Sequence, residues 1–275
     1  MILKPPSIKT LEVLAIFKFL STSQLIKLNI ATKKPNLVRP LKDLLFYNLI
    51  GKLTFGVSPK VWKLENIYYL KVKWVNFLKN ELWYDDNHYT IKYPIWTNSL
   101  FFRDYFHRLY TIEFHIELFI YLIKKGGYIK IFDTYFDKIW SNRVDANLKA
   151  KTKLIFNDGT YFIPDAICLY YLANKPHIFT FELYRGNDTK RVLKQFMKHI
   201  QALSEGLASK VFHKKIGSKV LVVFDTKEAM ISVIKRFAVD SNFSNFRYLF
   251  IFNYLDNSKL DMNTWYDSNF NNIKI

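Results

Sequence analysis

The chain has 275 residues, with 41 Lys+Arg against 23 Asp+Glu and a formal net charge of +18. Apolar residues make up 50% and aromatics 18%, enough to bury a sizeable core, so disorder is excluded as the main state. Cys168 is the only cysteine, which excludes an intrachain disulfide and a cysteine-based zinc site and suits a small buried filler.

A cationic surplus of this size draws a chain towards polyanions through counterion release, with nucleic acid the first candidate and anionic membrane the second. A low-GC coding bias would also enrich Lys, Asn, Ile, Phe and Tyr, but it leaves the deficit of acids unexplained. The N-terminus, Met1-Ile2-Leu3-Lys4-Pro5-Pro6, lacks a signal-peptide layout. The long apolar stretch Leu109 to Ile123 is interrupted by Glu113, His115 and Glu117, which predicts a core helix and not a membrane span. These features predict a cytoplasmic protein without membrane insertion.

From the front, Ser7 to Leu20 has helical apolar spacing after a serine cap. Thr22 to Leu28 predicts a second short helix with its own hydroxyl cap. Thr32 to Leu49 contains a third with Leu37, Leu41, Leu44, Leu45 and Leu49 inward, beginning close to Pro40 and stopped by Gly51. Lys52 to Phe55, a Gly56-Val57-Ser58-Pro59 turn and Lys60 to Leu64 read as a β-hairpin. Three helices and a hairpin in that order predict a winged helix-turn-helix over residues 1–90. Its third helix would enter the major groove of double-stranded DNA, and its hairpin would follow the backbone. Lys33, Lys34, Asn36, Arg39 and Lys42 cluster at the third helix, with Lys52, Lys60 and Lys63 on the wing. The cations suit phosphates, and Asn36 and Arg39 are the candidates for base edges. The competing reading is a small helical interaction module with solvated lysines.

Residues 67–94 carry the weakest pattern, with a connecting helix expected from Leu70 to Leu82 and a domain boundary near residues 85–100. The second domain, 91–275, opens on a long helix, Phe101 to Lys125, ended by Gly126-Gly127. Strands follow at Tyr128 to Phe132, at Lys153 to Leu172 with a break at Asp158-Gly159, and at Ile178 to Tyr184. Then come a helix from Asp188 to Leu207, a strand at Lys219 to Phe224, a helix from Lys227 to Val239 and a strand at Arg247 to Phe252. A meander that becomes α/β predicts a mixed sheet with helices on both faces. The Asn-rich end, Asn269 to Ile275, is expected to be loose.

Two carboxylates stand out. Asp165 follows Pro164 on one apolar strand, and Glu182 lies on the next, within Phe181-Glu182-Leu183-Tyr184-Arg185-Gly186. Alternate residues of a strand share a face, so paired strands can bring both acids to one spot. There they repel unless a cation joins them, and hard oxygen ligands suit Mg²⁺ or Mn²⁺ together with a substrate phosphate. Glu113 and Glu117 share a helix face, where a further metal ligand or a salt-bridged pair are alternatives.

The order helix, three strands, helix, strand, helix, strand, with Pro-Asp on the second strand and Glu on the third, resembles the restriction-endonuclease-like PD-(D/E)xK fold. The whole chain resembles the replication-relaxation family of plasmid mobilisation proteins, linked to the MOB-C class of relaxases. The residues that carry this are Phe106-His107-Arg108-Leu109, Pro164-Asp165-Ala166, Phe181-Glu182-Leu183-Tyr184-Arg185-Gly186 and Lys194-Gln195-Phe196-Met197-Lys198. The resemblance implies a winged helix followed by a nuclease-like mixed sheet flanked by helices. It also implies double-stranded DNA and other mobilisation or replication proteins as partners, with Asp165 and Glu182 as catalytic metal ligands. One departure matters: active members of the fold carry Lys two residues after the Glu, and here that residue is Tyr184. Three readings stay open. The lysine comes from the next helix, with Lys194 the choice from the Lys190, Lys194, Lys198 stripe; or Tyr184 itself acts; or the domain has lost cleavage and only binds DNA. Arg185 and Arg191 follow the Glu strand, where clamping a phosphate and a solvated position are alternatives. The function classes are therefore a Mg²⁺-dependent nicking endonuclease acting at an origin-like site, a non-catalytic DNA-binding regulator or relaxosome accessory factor, and a peripheral protein held to anionic lipid.

Overall fold

The computed structural model of the protein describes residues 3–57, 63–72, 74–75, 91–95, 101, 104–140, 148–257 and 259–274. Among these residues it is a mixed α+β protein with seven α-helices and a large mixed sheet. The chain divides into two compact units, Met1–Ile116 and Glu117–Ile275.

In the first unit, α1 (Pro5–Phe17) opens on two prolines, which suit a first turn whose N–H groups have no helical partner. Lys18, at φ 70°, ends it and leads into β1 (Phe19–Ser21). A capping box starts α2 (Thr22–Lys27): the Ser21 hydroxyl accepts from the Gln24 N–H, and the Gln24 side chain accepts from the Ser21 N–H. The third helix, α3 (Lys34–Phe46), buries Leu37, Leu41 and Leu44. It starts earlier than expected, because Pro35 and not Pro40 takes the first-turn position. Pro40 lies inside the helix, where its missing N–H forgoes a bond to the carbonyl of Asn36, close to the helix start.

Strands β2 (Ile50–Leu53) and β3 (Ile67–Leu70) complete a three-stranded antiparallel sheet in the order β1-β3-β2. Gly51 stands opposite Tyr69, whose ring occupies the space where a Cβ on Gly51 would sit. Strand β2 thus pairs with Ile67–Leu70, while the expected second hairpin strand, Lys60–Leu64, falls largely outside the described residues. Ser58, Pro59, Lys60, Val61 and Trp62 lie outside the described residues, as does most of the expected helix at 70–82. Ile67 and Leu70 are fully buried.

The first unit also extends beyond residue 90. The Lys92 N–H donates to the Ala15 carbonyl at 2.7 Å. The opening turns of α4 (Tyr105–Lys124) pack into this unit: Tyr105 stacks edge-on with Phe55 at 4.8 Å, and His115 with Phe17 at 4.6 Å. Glu113 pairs with Lys27 and accepts from Gln24, so of the alternatives for this acid the salt-bridged one is found. These contacts put the division inside α4 and not near residues 85–100.

The second unit begins with β4 (Tyr128–Thr134), followed by two small hairpins, β5 (Lys138–Trp140) with β6 (Leu148–Ala150) and β7 (Leu154–Ile155) with β8 (Tyr161–Phe162). Next, β9 (Ala166–Leu172) pairs antiparallel with both β4 and β10 (Lys175–Tyr184). Helices α5 (Thr189–Ser204) and α6 (Leu207–Val211) lead to β11 (Ser218–Phe224), parallel to β10. Helix α7 (Lys227–Val239) then leads to β12 (Phe250–Asp256), parallel to β11. This is the mixed sheet that the element order predicts. Its register aligns Ile167, Thr180 and Val220 on one face, followed by Glu182 with Val222 and Tyr184 with Phe224. Helices α5 and α7 cover that face through Phe196 and Phe237, both fully buried. Cys168, on β9, is buried as expected.

The chain end is not loose. Two-residue strands β14 (Trp265–Tyr266) and β15 (Asn272–Ile273) pair with each other, β14 pairs with β12, and β13 (Lys259–Leu260) also pairs with β12. The Asp267 carboxylate accepts from the backbone N–H groups of Asn269 and Asn271, closing the turn between β14 and β15. Among the described residues, no helix is long and apolar enough to cross a membrane.

Candidate functional site

The ladder between β9 and β10 ends on the pair Ala166 and Phe181, and its next positions are Asp165 and Glu182. Opposed residues of an antiparallel pair share a face, so the register brings the two carboxylates together. The backbones lock this: the Leu183 N–H donates to Asp165 Oδ2 at 2.8 Å, and the Asp165 N–H hydrogen-bonds to Glu182. Asp165 is half-buried, whereas Glu182 is 5% exposed.

Glu182 heads a buried polar chain. Its Oε1 lies 3.1 Å from His199 Nε2, and His199 Nδ1 lies 3.1 Å from Thr180 Oγ1. Phe162 flanks the His199 ring at 4.6 Å, and the residue is 1% exposed. The Glu182–His199 contact has the geometry of an ion pair, but desolvation opposes charge on both partners. Burial pushes the imidazole down to about 3. Burial, and then the charge of Asp165, push the Glu182 carboxyl well above its ordinary value, against hydrogen bonds from Gln195 and the Asp165 N–H. The contact is therefore a hydrogen bond in which burial disfavours the charged form of both partners.

Helix α5 supplies different residues from those expected. Its inward face carries Val192, Phe196, His199 and Ile200, with Gln195 reaching Glu182. Lys190, Lys194 and Lys198 are exposed. Lys194, the residue expected to replace the strand lysine, faces solvent, and one residue of rotation, about 100° on a helix, puts Gln195 at the carboxylate. Tyr184 shares the sheet face of Glu182 but lies in the aromatic core, 5.9 Å from Phe196 and 5.7 Å from Phe224 between ring centroids. Its hydroxyl is buried without a hydrogen-bond partner. Burial first, then Glu182 and Asp165, hold the phenol well above its ordinary range, which opposes a phenolate nucleophile. Arg185 is half-buried just past β10, where Gly186 at φ +93° turns the chain and donates to the Asp225 carboxylate.

In the first unit, Lys33, Lys34, Asn36, Arg39, Lys42, Lys52 and Lys63 are all exposed, and Lys60 lies outside the described residues. Lys34 is not solely a surface cation, since its amine pairs with Glu65 at 2.6 Å. Asn36 donates to Thr32 Oγ1 at 3.1 Å, which commits part of its amide locally. Arg39 and Lys42 lie opposite the buried leucines of α3.

Thr180, Gln195 and His199 were missed by reasoning from sequence. The available signal was the spacing of α5, which puts position 199 on the same side as 192 and 196. Among the described residues, no group of three His, Cys, Asp or Glu side chains is arranged to hold a metal ion. The donor chemistry of Asp165 and Glu182 nevertheless fits a hard divalent cation, which needs only one or two protein carboxylates beside phosphate oxygens.

Comparison with known proteins found no matching family model, no matching curated protein and no matching solved structure. The functional reading therefore rests on the chain's own residues.

Proposed function

We propose that the protein binds double-stranded DNA through its first unit, acting in plasmid mobilisation or relaxation at an origin-like site. The observation that carries this is the combination of topology and charge in that unit. The order helix, strand, two helices, two strands, with the first strand beside the last, supports a winged helix-turn-helix reading. The helix that would enter the major groove turns Arg39 and Lys42 to solvent, with Lys33 at its start. A gel-shift titration on duplex DNA over a range of salt tests it. Binding that weakens steeply with salt is expected, and no binding at low salt would remove the reading.

A second reading adds Mg²⁺- or Mn²⁺-dependent nicking by a PD-(D/E)xK-like second unit. It is favoured by Asp165, just before the second strand of the mixed sheet, standing next to Glu182 on the third. These two residues would hold the cation, which would supply Lewis acidity and charge neutralisation at a scissile phosphate. The buried Glu182, the solvent-facing Lys194 and the enclosed Tyr184 favour instead a nuclease fold kept as a scaffold in an accessory factor. A supercoiled-plasmid assay with either metal separates the two. Nicking lost in Asp165→Ala supports the enzyme, and no nick on any DNA, including the protein's own replicon, leaves DNA binding alone.

A further inference from the structure

The outward line of α3 carries more than charge. Residues 35, 39, 42 and 46 recur at intervals of three and four, opposite buried Leu37, Leu41 and Leu44, so Pro35, Arg39, Lys42 and Phe46 form one stripe. Phe46 is 83% exposed and Val38, beside the stripe, is 50% exposed. Tyr47, itself half-exposed, meets the Phe46 ring edge-on at 5.3 Å and leaves its other side open. A lone exposed apolar residue needs no explanation, but a phenyl ring in line with two cations on a helix face is a different matter. An apolar protein partner would be expected to meet an apolar surround. Here the neighbours on the stripe are Arg39 and Lys42, which select a polyanion.

Within duplex DNA the one apolar feature of the major groove is the C5-methyl group of thymine, and phenylalanine is among the side chains that contact it. We propose that Phe46 is a specificity-determining residue that packs on a thymine methyl group while Arg39 and Lys42 hold the same groove. Seven residues of helix separate Arg39 from Phe46, a rise of about 10 Å, or about three base-pair steps. The contacted thymine should therefore lie about three steps from the base or phosphate held by Arg39. This inference rests on the DNA-binding reading given above.

The test uses the full chain and four 24-base-pair duplexes: alternating A–T, the same with deoxyuridine for thymidine, alternating G–C, and the same with 5-methylcytosine. Removing the methyl from the A–T duplex and adding one to the G–C duplex change the same groove position in opposite directions. Each contacted methyl should strengthen binding about fourfold, the equivalent of one buried methyl group. Phe46→Ala should bring both ratios to about one, and Phe46→Leu should keep part of the preference. If the wild type binds none of the duplexes, the DNA-binding reading falls and this inference with it. If it binds all four but ignores the methyl group, or if Phe46→Ala keeps the preference, only this inference is overturned. A Phe46→Ala variant that binds every duplex normally but loses self-association in sedimentation would assign the stripe to a protein interface, also overturning it.

Discussion

The candidate functional residues of the two units are placed in opposite ways. In the first, Lys33, Arg39 and Lys42 stand in water on a helix whose inner face is leucine. In the second, Thr180, Glu182 and His199 are 3%, 5% and 1% exposed and satisfy one another beneath α5. An exposed cation keeps its hydration until a polyanion arrives, so changing it alters binding with little effect on folding. A buried polar chain is costly unless every member is paired, so changing it alters folding first.

The largest effect should come from the packing that encloses the polar chain. Phe196, fully buried, meets Tyr184, Phe237, Phe250 and Phe252, and Phe196→Ala should cost about 3–5 kcal/mol in denaturant unfolding. His199→Ala should follow at about 2–4 kcal/mol, because it removes a buried hydrogen-bond partner from both Glu182 and Thr180. Lys42→Ala in the first unit should stay within about 0.5 kcal/mol. A His199→Ala protein as stable as the wild type would erase the contrast between the units.

The same chain sets a pH dependence. Glu182 has its folded value raised above the ordinary 4.5, so its contribution is present below that value and is lost as pH rises towards the raised one. His199 is depressed from 6.5 to about 3, so its contribution is present above 6.5 and is lost as pH falls towards 3. Between the ordinary values of 4.5 and 6.5 the two contributions change in opposite directions and offset each other, so stability should be greatest there. Melting temperatures from pH 3 to 9 check this. Glu182→Gln should flatten the alkaline limb, and a wild-type curve that rises steadily above pH 7 would contradict the raised Glu182 carboxyl.

Smaller effects concern charge. Asp165→Ala removes a negative charge near the proposed phosphate path, so metal-free DNA affinity should hold or rise by a few-fold while any nicking disappears. Lys34→Ala should weaken DNA binding less than Arg39→Ala, since Glu65 already offsets the Lys34 charge. Filter binding at fixed salt compares them, and equal losses would contradict the pairing.

The second unit was the more legible in sequence. Its strands and helices carry strong apolar periodicity, and the separation of Asp165 from Glu182 fits an antiparallel turn-around that sets them opposite each other. Where sequence failed, the physics was non-local. Ile67 to Leu70 opens the stretch with the weakest pattern, and its burial against the rest of the unit is what that pattern did not show. Strands β1 and β13 to β15 are two or three residues long, too short for a period to register. On α5, a rotation of one residue decides whether lysine or glutamine and histidine face the carboxylate, and sequence spacing alone left that to the fold.

The most direct test of DNA binding through α3 is a salt titration of affinity on a duplex, read by fluorescence anisotropy. The logarithm of affinity should fall linearly with the logarithm of salt concentration. Lys33→Ala, Arg39→Ala and Lys42→Ala should each lower the slope by about one wherever the residue meets a phosphate, and together they should remove most low-salt binding. A folded triple variant that keeps the wild-type affinity and slope would contradict the account.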